Sequence, residues 1–196
     1  LVSYFIFQSF QTFEYEGLLF TKEKLGEIDL YRYSYTARIP DPSRISVTGG
    51  VVETRQPVSL YLRTDPRTNT IPVEGEIELT RGTVYVTVNT EGIGQCENSR
   101  VGMANLASFL TLNGFVVKGA VPDYNEAKEN NLMFATCESF PKNTVILVQK
   151  AEETSIQRSG ESCYNINIGS CEDILSVMDK FQIQAILDAK AREPKL

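Results

Sequence analysis

The sequence predicts an α+β fold, with an N-terminal antiparallel β layer followed by a disulfide-braced α/β unit with a mixed sheet. Three observations predict it. Residues 11–80 carry short alternating or β-branched runs separated by Gly and Asp-Pro turns, without helical periodicity. From Arg81-Gly82 onward, strand-like runs alternate with apolar helical patterns, as βαβ connections require. The four cysteines, Cys96, Cys137, Cys163 and Cys171, occur without a CxxC pair and in a chain that has no histidine. The expected organisation is an apolar anchor or assembly segment over 1–10, a β-rich lobe over 11–80 and an α/β lobe over 81–196.

The opening run LVSYFIFQSF is uncharged and rich in aromatics. It is too short to cross a bilayer, which takes about 20 apolar residues. Three fates are open to it: the outer end of a membrane span, a strand of the fold, or an element that docks into a neighbouring subunit. Tyr4, Phe5, Phe7 and Phe10 would be its contact residues. Thr12 to Tyr15 and Leu18 to Thr21 come next as extended runs broken at Gly17, and Lys24 to Glu27 turn into IDLYRYSYTARI. There Leu30, Arg32, Ser34 and Thr36 alternate with Tyr31, Tyr33 and Tyr35, which is the period-2 pattern of a strand with unlike faces. Pro40 to Pro57 reads as a long loop or hairpin excursion because Pro, Ser, Thr and Gly dominate it. Ser59 to Thr64 is a strand stopped by Asp65-Pro66, and IPVEGEIEL is expected to continue as strand.

In the second half Thr83 to Asn89 is a β-branched strand. The loop TEGIGQC leads from it to a helix over roughly Arg100 to Leu112, apolar nearly all round and so expected to be covered on more than one side. Asn113-Gly114 ends that helix, and FVVKGAV completes a right-handed βαβ unit. A short helix over Tyr124 to Asn131 precedes three strands, NTVILVQK, ETSIQRSG and CYNINIG. The last helix starts at Ser170, with Asp173 three positions on as a variant capping box. Ile174, Met178, Phe181 and Ala185 mark its buried stripe, and Asp179, Lys180, Gln182 and Asp188 its expected wet face.

Topology restricts how the cysteines pair. The strand CYNINIG separates Cys163 from Cys171 by roughly 20 Å, beyond the ~7 Å that a disulfide tolerates between Cα atoms. Cys96 and Cys171 each come after the carboxyl end of a strand, whereas Cys137 and Cys163 each precede a strand, and two reversals leave those two strands parallel. The expected bridges are therefore Cys96–Cys171 and Cys137–Cys163. Four free thiols in a cytosolic protein are the alternative. A four-thiolate zinc site needs two closely spaced ligand pairs, which these spacings do not supply.

Composition narrows the functions. A formal net charge of −6 with interleaved acids and bases leaves no basic stripe for phosphates, so no nucleic-acid partner is expected. Without histidine, most nucleophile–base pairs and histidine metal sites are absent, and neither a cofactor nor a metal is expected. Two sets of residues stand out as candidates. Glu91, Gly92 and Gly94 sit in a strand-to-helix loop, where α/β folds place ligands; with Glu172 and Asp173 they would form an acidic rim beside Cys96–Cys171. Acids in a helix's first turn are also expected from the helix dipole alone. Tyr31, Tyr33 and Tyr35 form an aromatic row, either an interaction platform or cross-strand packing.

The segments EGLLFTKEKLGEI, LYLRTDPRT with VEGEIEL, ASFLTLNGF, TCES before NTVIL, and ILDAKAR resemble an uncharacterised archaeal family of short proteins with one amino-terminal membrane span. The resemblance implies a tethered, outward-facing domain, and it brings no activity or site residues with it. The functional expectation is an extracytoplasmic binding or structural domain, membrane-tethered or part of a cell-surface assembly, with a protein partner or self-assembly and no catalysis. The alternative is a small-ligand-binding or hydrolytic domain using the rim near Glu91 and Glu172.

Overall fold

Two β-sheets share one apolar core through helices that lie between them. This is the arrangement seen in a computed structural model that describes residues 11–45 and 51–193; the run 1–10, with Tyr4, Phe5, Phe7 and Phe10, lies outside the described residues. The first sheet is an antiparallel meander in sequence order, β1 (Gln11–Tyr15), β2 (Leu18–Leu25), β3 (Ile28–Ile45) and β4 (Val51–Leu62). Glu16 and Gly17 connect β1 to β2 with φ values of 50° and 72°. Two successive positive φ angles match the right-handed twist of a tight hairpin, and glycine supplies the second without steric cost.

Of the two forms expected for Pro40 to Pro57, the structure takes the hairpin, with paired arms. β3 and β4 stay in register from Tyr31↔Leu62 to Asp41↔Val52, with Pro57 opposite Thr36. Proline is tolerated there because β4 is an edge strand, where the missing N–H faces outward. The expectation of a long strand over IPVEGEIEL is corrected. Only β5 (Val73–Glu74) pairs, and the chain beyond it runs along the last helix instead. Its backbone groups are satisfied by side chains: Ile77 N donates to Asp188 Oδ2 at 2.7 Å, and Tyr164 Oη accepts from Glu78 N and donates to Glu78 O. The alternation is real, since Ile77 is buried, but no strand is there to pair with it.

The second sheet has the order β5-β9-β10-β8-β6-β7, formed with β6 (Thr83–Val88), β7 (Val116–Ala120), β8 (Thr144–Lys150), β9 (Ser155–Gly160) and β10 (Cys163–Ile168). β7, β6, β8 and β10 run parallel, and β9 is antiparallel to β10. α1 (Ser99–Leu112) connects β6 to β7, and α2 (Tyr124–Glu129) comes after β7. α1 packs against both the last helix and β7, while Val101 and Leu112 are exposed. Its Gly102 faces the last helix so closely that an added Cβ would stand 2.7 Å from Ile174 Cγ2.

The last helix begins as a 3₁₀ turn (Cys171–Asp173) capped by Ser170 and continues as α3 (Ile174–Arg192). Ile174, Met178, Phe181 and Ala185 are buried as the stripe requires. The wet face is corrected: Asp179 is only 1% exposed and Gln182 only 2%, while Lys180 and Asp188 are half-buried. The reason is position. α3 carries the second sheet on one side and the first on the other, so two faces are covered where periodicity showed one. Leu18, Phe20, Tyr31, Tyr33, Leu60 and Leu62 of the first sheet belong to the same core as Val84, Ile146, Tyr164 and Ile166 of the second. The opposite face of the second sheet holds a smaller cluster of Tyr85, Ala120, Ala135 and Val145.

Both disulfides lie in the α/β half. Cys96 bonds Cys171 and Cys137 bonds Cys163, with Cα separations of 5.2 Å and 5.7 Å. Because β6, β8 and β10 are parallel, the loop after β6 and the turn after β10 emerge at one sheet edge, where the first bridge joins them.

Candidate functional site

The seam between the two sheets is where polar groups and open space coincide. It is held shut at one end by Asp179. Its Oδ2 accepts from Arg63 N at 2.8 Å, from Thr64 N at 2.9 Å and from Thr64 Oγ1 at 2.8 Å, tying the end of β4 to α3. Burial pushes this carboxyl up to about 6, against the pull of the Thr64 and Arg63 donors. Farther along, Asn69 Nδ2 donates to Ser176 O at 2.7 Å, and Arg192 Nη2 donates to Ile77 O at 3.3 Å. The chain between the sheets is thus strapped to α3 over its length.

Among the hollows that the described residues leave on the seam, two are bordered by both Tyr35 and Phe109. The first, about 360 Å³, has an apolar floor that includes Phe109, Phe115 and Ile186, and it carries Arg38, Lys190 and Arg192 in its wall. Glu193 is in the same wall, so three cations and one carboxylate surround the apolar floor, an excess of positive charge that suits an anion with an apolar body. Tyr35 is fixed here by Asn113, whose Nδ2 donates to Tyr35 Oη at 2.7 Å and to Phe109 O at 2.8 Å. Burial pushes the phenol up to about 12, with Asn113 pulling against it and Tyr33 adding to it, so Tyr35 is neutral, and its hydroxyl also donates to Asn113 Oδ1 at 2.9 Å.

The second hollow, about 330 Å³, runs between Val58–Tyr61 of β4 and Asn105, Ser108, Phe109 and Leu112 of α1, with Gln182 in its wall. Gln182 Nε2 is buried and has no hydrogen-bond partner among the described residues. A buried amide donor left unpaired costs about 1–3 kcal/mol, and so calls for an explanation.

The residues singled out from sequence fall in other places. Tyr31 and Tyr33 are 7% and 8% exposed and stack within the core with Phe13, Phe20 and Tyr35, so the row is cross-strand packing rather than an open platform. Tyr33 and Tyr35 border the first hollow, and Tyr35 alone of the row borders the second as well. Glu91 and Glu172 are exposed, on loops that Cys96–Cys171 brings to one edge. Asp173 accepts a hydrogen bond from Thr154 Oγ1 at 2.5 Å, and Gly92 packs against the stem of Lys150, where an added Cβ would meet Lys150 Cβ at 3.3 Å. Gly94 N donates to Thr90 O at 3.0 Å, a tight turn. Neither seam hollow touches this rim. Among the described residues, no three His, Cys, Asp or Glu side chains are grouped to hold a metal ion. Sequence reasoning missed Asp179, Gln182, Asn113 and the cation trio. One signal was present: two adjacent-turn polar residues, Asp179 and Gln182, on a helix that ends a chain of strands. No family model, curated protein or solved structure matches this chain.

Proposed function

We propose that this is a binding domain of an extracytoplasmic, cell-surface assembly, braced by disulfides and working through its seam rather than through catalysis. The two disulfides point to an oxidising setting outside the cytosol. The observation that carries the binding role is the seam itself, with two hollows meeting at Tyr35 and Phe109 beside an unpartnered buried amide. The test is cell fractionation with intact-mass analysis. Recovery from the cell surface, at a mass four hydrogens below the reduced chain, is the expected result; recovery from the cytosol with free thiols overturns the reading. A membrane tether through residues 1–10 is a finer form of it, supported by that run's composition and by the family resemblance. Among the described residues no helix is long and apolar enough to cross a bilayer.

A second reading, as a small-ligand site, is favoured by Arg38, Lys190 and Arg192 around the apolar floor of the first hollow. The fluorescent anion 1-anilinonaphthalene-8-sulfonate is a direct probe. Replacing Arg38 and Lys190 together by Ala should weaken its binding by about tenfold. Unchanged binding would remove this reading without touching the first.

A further inference from the structure

The second hollow has the geometry of a strand-receiving groove. Four consecutive residues of β4, Val58 to Tyr61, line it. A hollow confined to one face of a sheet would meet every second residue, so this one tracks the strand's edge. β4 ends the sheet, and besides β3 no described strand pairs with it. An open edge presents unpaired N–H and C=O groups, which proteins ordinarily blunt with charge or proline. β4 is blunted over part of its length only. Glu53, Arg55 and Pro57 fall within its first seven residues, whereas Val58-Ser59-Leu60-Tyr61-Leu62 carries neither charge nor proline. The unblunted stretch begins where the groove does. Its parity is also known. Pro57 has no N–H to give the ladder and the pairing is regular from Pro57 to Leu62, so residues 57, 59 and 61 turn their backbone groups outward. Ser59 and Tyr61 thus offer N–H and C=O groups into the groove. Opposite them stands α1.

We propose that this groove receives residues 1–10 of a second copy of the chain as an added β-strand. Free main-chain groups in register call for an extended peptide, and apolar walls call for apolar side chains on it. The run LVSYFIFQSF has no charge among its ten residues and lies outside the described residues, directly before β1. β1 and β4 are opposite edges of one sheet. A chain's own run would have to double back across about 14 Å of sheet, three strand spacings, to reach its own β4. A neighbour's run meets no such detour. Donation from the β1 end of one copy to the β4 edge of the next is a heterologous contact, which propagates as an open array unless it closes into a ring. The proposal rests on the assembly reading above and takes the run as protein-bound rather than lipid-bound.

Sedimentation velocity of the full chain across a concentration series is the test. The unaltered chain is expected to associate as concentration rises. Ser59→Pro removes one outward N–H and the exposed Ser34 Oγ–Ser59 Oγ hydrogen bond of 3.0 Å, but no ladder bond. It should therefore leave circular dichroism unchanged and unfold like the side-chain control Ser59→Ala, while weakening association by about tenfold or more where Ser59→Ala does not. Phe5→Asp with Phe7→Asp should have the same effect from the donor side. A mixture of the two variants should form heterodimers, because Ser59→Pro chains still donate their run to the intact groove of the doubly substituted chains. A monomer at every concentration overturns the proposal, as does association that Ser59→Pro leaves unchanged. So does recovery of the full chain as a monomer in the detergent phase. Each of these leaves the extracytoplasmic reading standing, because fractionation and mass decide that separately.

Discussion

Asp179 carries more of the seam than any other residue. Replacing it by Ala leaves Arg63 N, Thr64 N and Thr64 Oγ1 without their shared acceptor, and the expected cost is on the order of 3 kcal/mol by urea denaturation at neutral pH. Its pH dependence has a definite sign. The carboxyl rises from 3.8 to about 6 on folding, so the folded chain holds the proton more tightly between those values. The stability this group contributes is full below 3.8 and is lost as pH rises through 6. Asp29 and Asp65 work the other way. Lys22 holds the first carboxyl low and Arg67 the second, so their contributions are lost as pH falls. The Asp179 effect is therefore read as the difference between the unaltered chain and Asp179→Asn. That difference should change steeply between pH 4 and about 6 and flatten above it; a flat difference across the range would show that Asp179 titrates as it does in water.

At the scale of elements, α1 and α3 meet at Gly102. An alanine there would place its Cβ 2.7 Å from Ile174 Cγ2, so Gly102→Ala should destabilise by about 1–3 kcal/mol despite its gain in helix propensity. Differential scanning calorimetry distinguishes this from an exposed helical glycine, where the same change stabilises. Much of the element order is legible in the sequence: the hairpin turn at Gly17, the end of α1 before Gly114 and the βαβ unit all carry local signals. IPVEGEIEL misleads because alternation reports which side chains are buried and is silent about what the backbone pairs with. Here Tyr164 and Asp188 side chains take the place of a neighbouring strand. The rim at Glu91 and Glu172 is legible as a place, since parallel strands bring both loops to one edge, but sequence cannot say that hollows open on the seam instead of at that rim.

For the whole molecule, the two bridges should contribute unequally. Cys96–Cys171 spans 75 residues and Cys137–Cys163 spans 26, which in the chain-entropy model corresponds to about 4.5 and 3.5 kcal/mol. Cys96→Ser with Cys171→Ser should accordingly lower the urea midpoint more than the other pair does; the reverse order would mean that folded-state contacts outweigh loop entropy. The first sheet carries no disulfide, yet its Leu18, Phe20, Leu60 and Leu62 share one core with the second. Tyrosine fluorescence and far-ultraviolet circular dichroism should therefore report a single unfolding transition in urea, and two separated transitions would show that the sheets unfold as independent units.

The sequence by itself determined the order of elements and which cysteines could meet, because strand length and strand parity are local properties that add up along the chain. Tertiary structure alone decided which polar residues are dry. Periodicity can show that one face of α3 is apolar. Only the placement of a second sheet against the opposite face buries Asp179 and Gln182, turning one into a staple and leaving the other beside an unblunted edge.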